Sequence, residues 1–97
     1  MPTFEALDRF WREFEKLTPE AQRLFLAARD LFVEDLQAGQ QPRPSLRVKR
    51  FTAIPGVWEM SFAPDGRALF EYGPERVAGQ PHVIWLRIGT HDIFGRP

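Results

Sequence analysis

The chain has 97 residues, 43% of them hydrophobic, and its 13 basic and 13 acidic side chains leave no formal net charge. This length predicts a single domain over residues 1–97, with enough apolar material to bury a core. The absence of cysteine excludes disulfides and thiolate metal sites, and no apolar run approaches the ~20 residues of a membrane span. Because the first ten residues lack the pattern of a signal peptide, we expect a cytoplasmic protein.

The charges are distributed unevenly along the chain. Residues 1–42 carry eight acids and five bases, whereas residues 43–97 carry five acids and eight bases. Four bases and no acid lie between Arg43 and Arg50. The second half could therefore attract phosphate locally while the whole chain stays neutral, although an ordinary solvated surface explains the same pattern.

Two amphipathic helices are predicted in residues 1–38, and the first is expected to begin at the N-terminus. Its apolar residues recur at steps of three and four, at Phe4, Leu7, Phe10, Trp11, Phe14 and Leu17. The second helix is predicted to begin after Thr18 as the cap, with Pro19 at its first position, and to end at Gly39. The short break between the helices predicts an antiparallel αα-hairpin, and residues 37–44 form a linker.

Four β-strands are predicted in residues 45–94, from the segments LRVKRF, VWEMSF, RALFEY and HVIWLRIG. The turn from Ala63 to Gly66 joins the second and third strands as a hairpin, because its proline and glycine suit the turn positions they occupy. The period of two places the following residues on the face that packs on the helices: Leu46, Val48, Trp58, Met60, Phe70, Ile84, Leu86 and Ile88. The predicted fold is therefore α+β, an antiparallel αα-hairpin packed on one face of a four-stranded, mostly antiparallel β-sheet.

The opposite face of the predicted sheet is basic and contains one aromatic side chain. Its residues are Arg47, Lys49, Glu59, Ser61, Arg67, Trp85 and Arg87. Such a face can bind single-stranded RNA, with the cations on phosphates and the aromatic ring on a base. A sheet that is covered on one side also carries polar residues on the other without any binding role, so both interpretations stay open.

Few residues point to chemistry on their own. The sequence has no Walker-type glycine loop, no nucleophile elbow and no metal-binding pair of histidines, so we predict neither a metal nor a cofactor. His91 follows the last strand, where an imidazole can transfer a proton or serve only as a surface residue. Arg67 leads the strand after the hairpin turn, where a guanidinium can bind phosphate or simply be solvated. Arg47 and Lys49 should project together from one strand, and His82 is given a structural role.

The ordered set of elements resembles the RelE/ParE superfamily of bacterial toxins. The resemblance rests on two helices followed by LRVKRFTAIPGVWEMSFAPDGRALFEYG and by HVIWLRIGTHDIF, and it covers essentially the whole chain. The shared features are a basic strand after the helices, a glycine-containing loop, a strand led by Arg67 and a last strand followed by His91. Three features depart from the family: the neutral charge, a thinner basic cluster, and a helical N-terminus where the family usually has a short strand.

The resemblance implies the toxin of a toxin–antitoxin system, which cleaves mRNA on the ribosome and thereby inhibits translation. The implied reaction is a metal-free transesterification in which a ribose 2′-OH attacks the adjacent phosphate. The catalytic roles that carry over fall on Arg67, as the stabiliser of the phosphorane, and on His91, as the acid, and we assign Lys49 (or Glu59) as the base. The residues expected to hold RNA are Arg47, Arg50, Trp85 and Arg87. The implied partners are a cognate antitoxin protein and ribosome-bound mRNA, without a membrane.

Two alternatives remain within the same resemblance. ParE-type members poison gyrase without being enzymes, although the match at His91 weighs against this activity. An inactive toxin-fold binding module is the other alternative, and the neutral net charge permits it.

Overall fold

A computed structural model describes residues 1–90 of the chain. In chain order, its elements are the strand β1 (Thr3–Ala6), the helices α1 (Asp8–Glu15) and α2 (Pro19–Gln37), a 3₁₀ turn at Pro44–Leu46, and the strands β2 (Lys49–Arg50), β3 (Trp58–Ala63), β4 (Gly66–Gly73) and β5 (His82–Thr90). The predicted α+β class, with two helices against one face of a mostly antiparallel sheet, is confirmed. None of the helices in this range is long and apolar enough to cross a membrane.

Within residues 1–90 the sheet contains five strands in the order β1-β5-β4-β3-β2, so the predicted number of four is wrong. The additional strand is β1, which pairs parallel with β5 and places Thr3 opposite His82. Sequence reasoning assigned this segment to a helix because Phe4 and Leu7 fit the helical spacing, whereas α1 begins only at Asp8. The short first strand that is usual in the family that the sequence resembles is therefore present.

His82 fastens β1 to β5, in keeping with the structural role expected for it. Its buried ring places Nδ1 2.8 Å from Thr3 Oγ1 and Nε2 3.0 Å from Glu5 Oε1. Since a carboxylate only accepts hydrogen bonds, Nε2 donates to Glu5. This hydrogen bond is the main reason why the pKa of Glu5 is lowered, and the nearby Arg76 charge lowers it further.

The second helix begins and ends where the sequence predicts. Thr18 Oγ1 accepts a hydrogen bond from the Ala21 N–H at 3.1 Å, and Pro19 is the first helical residue. Beyond the last turn, Gly39 has φ +70°, a conformation that glycine adopts without the steric cost of a Cβ. The local signals at both ends of α2 therefore agree with its tertiary position.

The strand β2 is much shorter than the predicted strand from Leu46 to Phe51. Residues 44–46 form a 3₁₀ turn, and Arg47 has a left-handed backbone with φ 47° and ψ 43°. This conformation costs a residue with a side chain about 1–2 kcal/mol, and it turns the chain before it enters the sheet. The sequence had indicated that Arg47 and Lys49 project together from one continuous strand, and this prediction is wrong.

A bulge at Leu86 interrupts the regular alternation of β5. The pairing passes from Phe70 opposite Trp85 to Leu69 opposite Arg87, so Leu86 is an extra residue on its strand. One extra residue shifts the two-residue period, and residues before the bulge lie on the face opposite to the predicted one. Trp85 is therefore on the helix-bearing face and 3% exposed, and its predicted place among the outer residues is wrong.

The core between the helices and this inner face is built largely from aromatic rings around Trp85. The Trp85 ring centroid lies 5.2 Å from that of Phe25, 5.4 Å from Phe70 and 5.9 Å from Phe32. Phe10 of α1 contacts the same ring at 6.0 Å. Because both helices and two strands share these contacts, the inner face is a firm support for the side chains on the outer face.

Candidate functional site

Two adjacent rows of side chains cross the outer face, which is the face of the sheet opposite to the one that carries Phe70 and Trp85. The first row consists of Lys49, Glu59, Leu69 and Arg87, and the second of Ser61, Arg67 and Gly89. Residues directly opposite each other on neighbouring strands have Cβ atoms about 4.5–5.5 Å apart. The strand register therefore gathers three predicted site residues, Lys49, Arg67 and Arg87, into neighbouring rows.

Lys49 and Glu59 form an ion pair in the first row, because β2 and β3 place them directly opposite each other. Lys49 Nζ lies 3.2 Å from Glu59 Oε1, and the side chains are 70% and 10% exposed respectively. An ammonium has no lone pair for a substrate proton, whereas the carboxylate keeps acceptor oxygens. The geometry thus favours Glu59 over Lys49 as the proton acceptor.

Arg67 is held by the hairpin turn that precedes it. Its Nη1 donates to the carbonyl oxygens of Ala63, Pro64 and Gly66 at 3.2, 3.4 and 2.9 Å. Within residues 1–90, its Nε and Nη2 donate to no other group. The guanidinium is therefore fixed through one nitrogen and keeps a planar edge for a bidentate contact with a phosphate.

A cleft of about 620 Å³ lies between α2, the 3₁₀ turn and the hairpin of β3 and β4. Its polar lining consists of Ser45, Arg47, Ser61 and Arg67, and its apolar wall on α2 consists of Leu24, Ala27, Ala28 and Leu31. No acidic residue of the described range lines the cleft. The Arg47 side chain forms no hydrogen bond or ion pair with any residue from 1 to 90. The cleft thus combines two positive charges with no opposing acid, which suits a phosphate group.

Arg87 lies in the first row but is bound to α1. Its Nη2 is 2.6 Å from Glu13 Oε2 and its Nε is 3.3 Å from Oε1, while the Ile88 N–H also donates to Glu13. Sequence reasoning missed Glu13, because its position on the polar side of a helix gives no sign of a contact with a strand 74 residues later. Ser45 was missed for the same kind of reason, since only the tertiary fold brings it to the cleft.

The remaining predicted site residues lie apart from these rows. Arg50 is on the inner side of β2, with its guanidinium carbon 5.0 Å from the Trp58 ring centroid. Trp85 is in the core, and His91 lies outside the described residues. In the part of the chain that the structure describes, no three His, Asp or Glu side chains are grouped so that they could hold a metal ion.

The sequence matches no protein-family model and no curated protein. Solved structures, in contrast, match over nearly the whole chain. The toxin YafQ in its complex with DinJ from E. coli has a TM-score of 0.66 at 10% identity, over 96% of this chain and 97% of that one. A copper-bound mutant toxin from Helicobacter pylori has a TM-score of 0.60 at 16% identity, over 96% and 98% of the two chains.

A third similar structure, the YoeB/ParE toxin from Agrobacterium tumefaciens, has a TM-score of 0.54 at 12% identity and covers 92% of this chain and 98% of that one. All three have the toxin fold of the RelE/ParE superfamily, which the sequence resembled. The protein therefore has the fold of these toxins.

Proposed function

We propose that this protein is the toxin component of a toxin–antitoxin system and cleaves mRNA on the ribosome without a metal ion. The observation that carries the proposal is the way in which the Arg67 guanidinium is held at the cleft. This guanidinium is fixed by three turn carbonyls, and among residues 1–90 it keeps one planar edge free and shares with Arg47 a cleft that no acidic residue lines. A preorganised cation of this kind stabilises the charge that develops on a phosphate under attack.

The reaction assigned to the site is a transesterification. Glu59 takes the proton from a ribose 2′-OH, and the oxygen attacks the adjacent phosphorus. The bond from phosphorus to the 5′-oxygen breaks, and His91 protonates that oxygen, a role that comes from the family resemblance. The products are a 2′,3′-cyclic phosphate and a 5′-OH. Arg67 stabilises the negatively charged phosphorane that forms before the bond to the 5′-oxygen breaks.

Lys49 positions Glu59 in this assignment. The ion pair at 3.2 Å holds the carboxylate in the row next to Arg67, and the exposed ammonium also adds positive charge where RNA enters. Arg47, which lines the same cleft, supplies a second phosphate contact. Arg87 contributes less to RNA binding, because Glu13 already offsets its charge.

A cognate antitoxin is the expected protein partner. The similar structures include a complex of E. coli YafQ and DinJ that is described as a toxin–antitoxin complex. For the present chain, the partner would be a separate protein whose coexpression restores growth of cells that produce the toxin.

Cleavage of a synthetic mRNA in a reconstituted translation reaction tests the proposal. The wild-type protein is first treated with EDTA to remove any bound metal ion. It should then produce fragments with a 5′-OH end, and only when ribosomes are present. Arg67→Ala should lower the cleavage rate about 10²–10³-fold, the effect of removing one preorganised oxyanion contact. Arg67→Lys should recover part of this loss, since lysine keeps the charge but not the planar edge.

Arg9→Ala is the matched control, because Arg9 is an exposed arginine of α1 outside the cleft and both rows. It should leave the rate unchanged. Intact mRNA together with broken DNA in gyrase reactions would refute the ribonuclease proposal and select the gyrase poison. Inactivity in both reactions, and no growth arrest on expression, would select the binding module.

A further inference from the structure

Three side chains on the inner face near the β2 edge form a surface that the proposed reaction does not use. Arg50 lies over the Trp58 ring at 5.0 Å, and the Trp58 and Tyr72 ring centroids are 6.4 Å apart at an interplanar angle of 71°. Arg50 and Trp58 are direct neighbours across β2 and β3. We call Arg50, Trp58 and Tyr72 the edge patch.

The edge patch is accessible because α2 covers the sheet only as far as Phe70. The Phe32 ring of α2 lies 5.0 Å from the Phe70 ring, whereas Tyr72, two residues further along β4, is 43% exposed. The Tyr72 ring rests edge-on against Phe70 at 5.5 Å and 87°. It is therefore an exposed aromatic ring on a rigid aromatic support, which limits the conformational entropy lost when a ligand stacks on it.

The polar groups of the edge patch have no partners among the described residues. The Arg50 guanidinium, the Trp58 Nε1–H and the Tyr72 hydroxyl form no hydrogen bond or ion pair with any residue from 1 to 90. Burial raises the pKa of Tyr72, so its hydroxyl remains a donor at neutral pH. The patch thus offers an aromatic face, a cation and two further donors, without a neighbouring acid that pairs with the cation.

We infer that the edge patch binds an unpaired nucleotide of single-stranded RNA, with the base stacked on Tyr72 and the phosphate on Arg50. Stacking on an aromatic ring beside a cation is the usual way in which proteins hold single strands. Successive residues of a strand point to opposite faces, so Lys49 and Arg50 carry positive charge to both sides of the edge strand. A single strand that crosses β2 therefore contacts the edge patch on one side and the first row of the outer face on the other.

This inference rests on the proposed function, since it concerns the same RNA substrate, and it replaces the stacking role that was expected of Trp85. Binding is measured by fluorescence anisotropy with a labelled ten-nucleotide 2′-O-methyl RNA, which cannot undergo 2′-OH attack. Tyr72→Ala should weaken the Kd about tenfold, the effect of one lost stacking contact. Tyr72→Phe keeps the ring and should bind within twofold of the wild type.

Arg50→Gln tests the phosphate contact. It should weaken binding and lower the slope of log Kd against log salt by about 0.7, the value for one phosphate contact on a single strand. Trp11→Ala is the matched control, because Trp11 is a similarly exposed aromatic residue, 46% against 43%, on α1. Its Kd should stay unchanged, and thermal melting establishes that each variant is folded.

Wild-type-like affinity in both folded Tyr72→Ala and Arg50→Gln would overturn the inference, as would a wild-type protein that does not bind the oligonucleotide. The former result is also expected if the patch serves a protein partner instead. Since Arg50 is exposed, Arg50→Gln keeps the test decisive even if Tyr72→Ala fails to fold. Binding that depends on the patch, without any cleavage of unmodified mRNA on ribosomes, would refute the proposed reaction and leave the inference standing.

Discussion

Replacing Glu59 by glutamine removes the proton acceptor of the proposed reaction and keeps the shape of the side chain. General base catalysis contributes about 10²–10⁴-fold in rate, so Glu59→Gln should raise the activation barrier by about 2.7–5.4 kcal/mol. The cost to folding should be about 1 kcal/mol or less. The reason is that the Lys49 end of the ion pair is 70% exposed and screened by water, and glutamine keeps the size and shape of the buried Glu59 side chain.

The assay is single-turnover cleavage of a synthetic mRNA by saturating toxin on purified ribosomes, with urea unfolding of each variant in parallel. Lys49→Gln should lose less than tenfold in rate, because Lys49 only positions the carboxylate and attracts RNA. Glu20→Gln is the matched control, since it makes the same change of charge at an exposed position in the first turn of α2. Its rate should equal that of the wild type.

The opposite ranking would refute the reasoning from the ion pair. If Lys49→Gln loses 100-fold or more while Glu59→Gln stays within tenfold, the base is Lys49 and the ion pair at 3.2 Å does not describe the reacting state. Equal losses in both variants would show that the pair acts as a unit, which a double variant with no further loss would establish.

Three further predictions concern stability. The Arg43 side chain donates to Asp35, and this hydrogen bond is the main reason why the Asp35 pKa is lowered. The pair therefore stabilises the fold above the unfolded carboxyl pKa of about 3.9 and loses that effect as pH falls. The difference in urea unfolding free energy between the wild type and Asp35→Asn should narrow below pH 4, and a difference independent of pH would contradict this. Phe32→Ala should cost about 3–5 kcal/mol in the same assay, because Phe32 is fully buried, and a loss below 1 kcal/mol would mean that the core collapses around the gap. Gly66→Ala should cost about 1–3 kcal/mol, because a Cβ there would lie 2.5 Å from the Phe62 ring, and an unchanged melting temperature would show that the ring moves freely.

Local signals predicted the parts of the fold that depend on neighbouring residues. The cap at Thr18, the glycine after α2 and the hairpin turn before Gly66 each lie where the sequence indicated. Two of the failures involve distant contacts. The four residues of β1 become a strand only because β5 accepts them, and the bulge at Leu86 leaves no mark in a two-residue period that continues on both sides of it.

The candidate site likewise has features that the sequence could predict and features that depend on distant contacts. The sequence identified Lys49, Glu59 and Arg67 as candidates on one face, and the register places them in neighbouring rows. It could not indicate that Lys49 forms an ion pair with Glu59, nor that Glu13 binds Arg87, because side-chain partners depend on the final positions of the strands and helices. The cleft beside Arg67 likewise requires residues of α2, the last of which, Leu31, lies far earlier in the chain.

The parallel pairing of β1 with β5 sets an order of events during synthesis. β1 is the first strand to leave the ribosome and β5 the last of the five, so the first strand stays without a partner until residues 82–85 have emerged. Arg87, the fourth member of the first outer row, arrives with the same strand. A nascent chain that ends before β5 therefore has neither a complete sheet nor a complete first row on the outer face. Completion of the sheet and assembly of this row occur together.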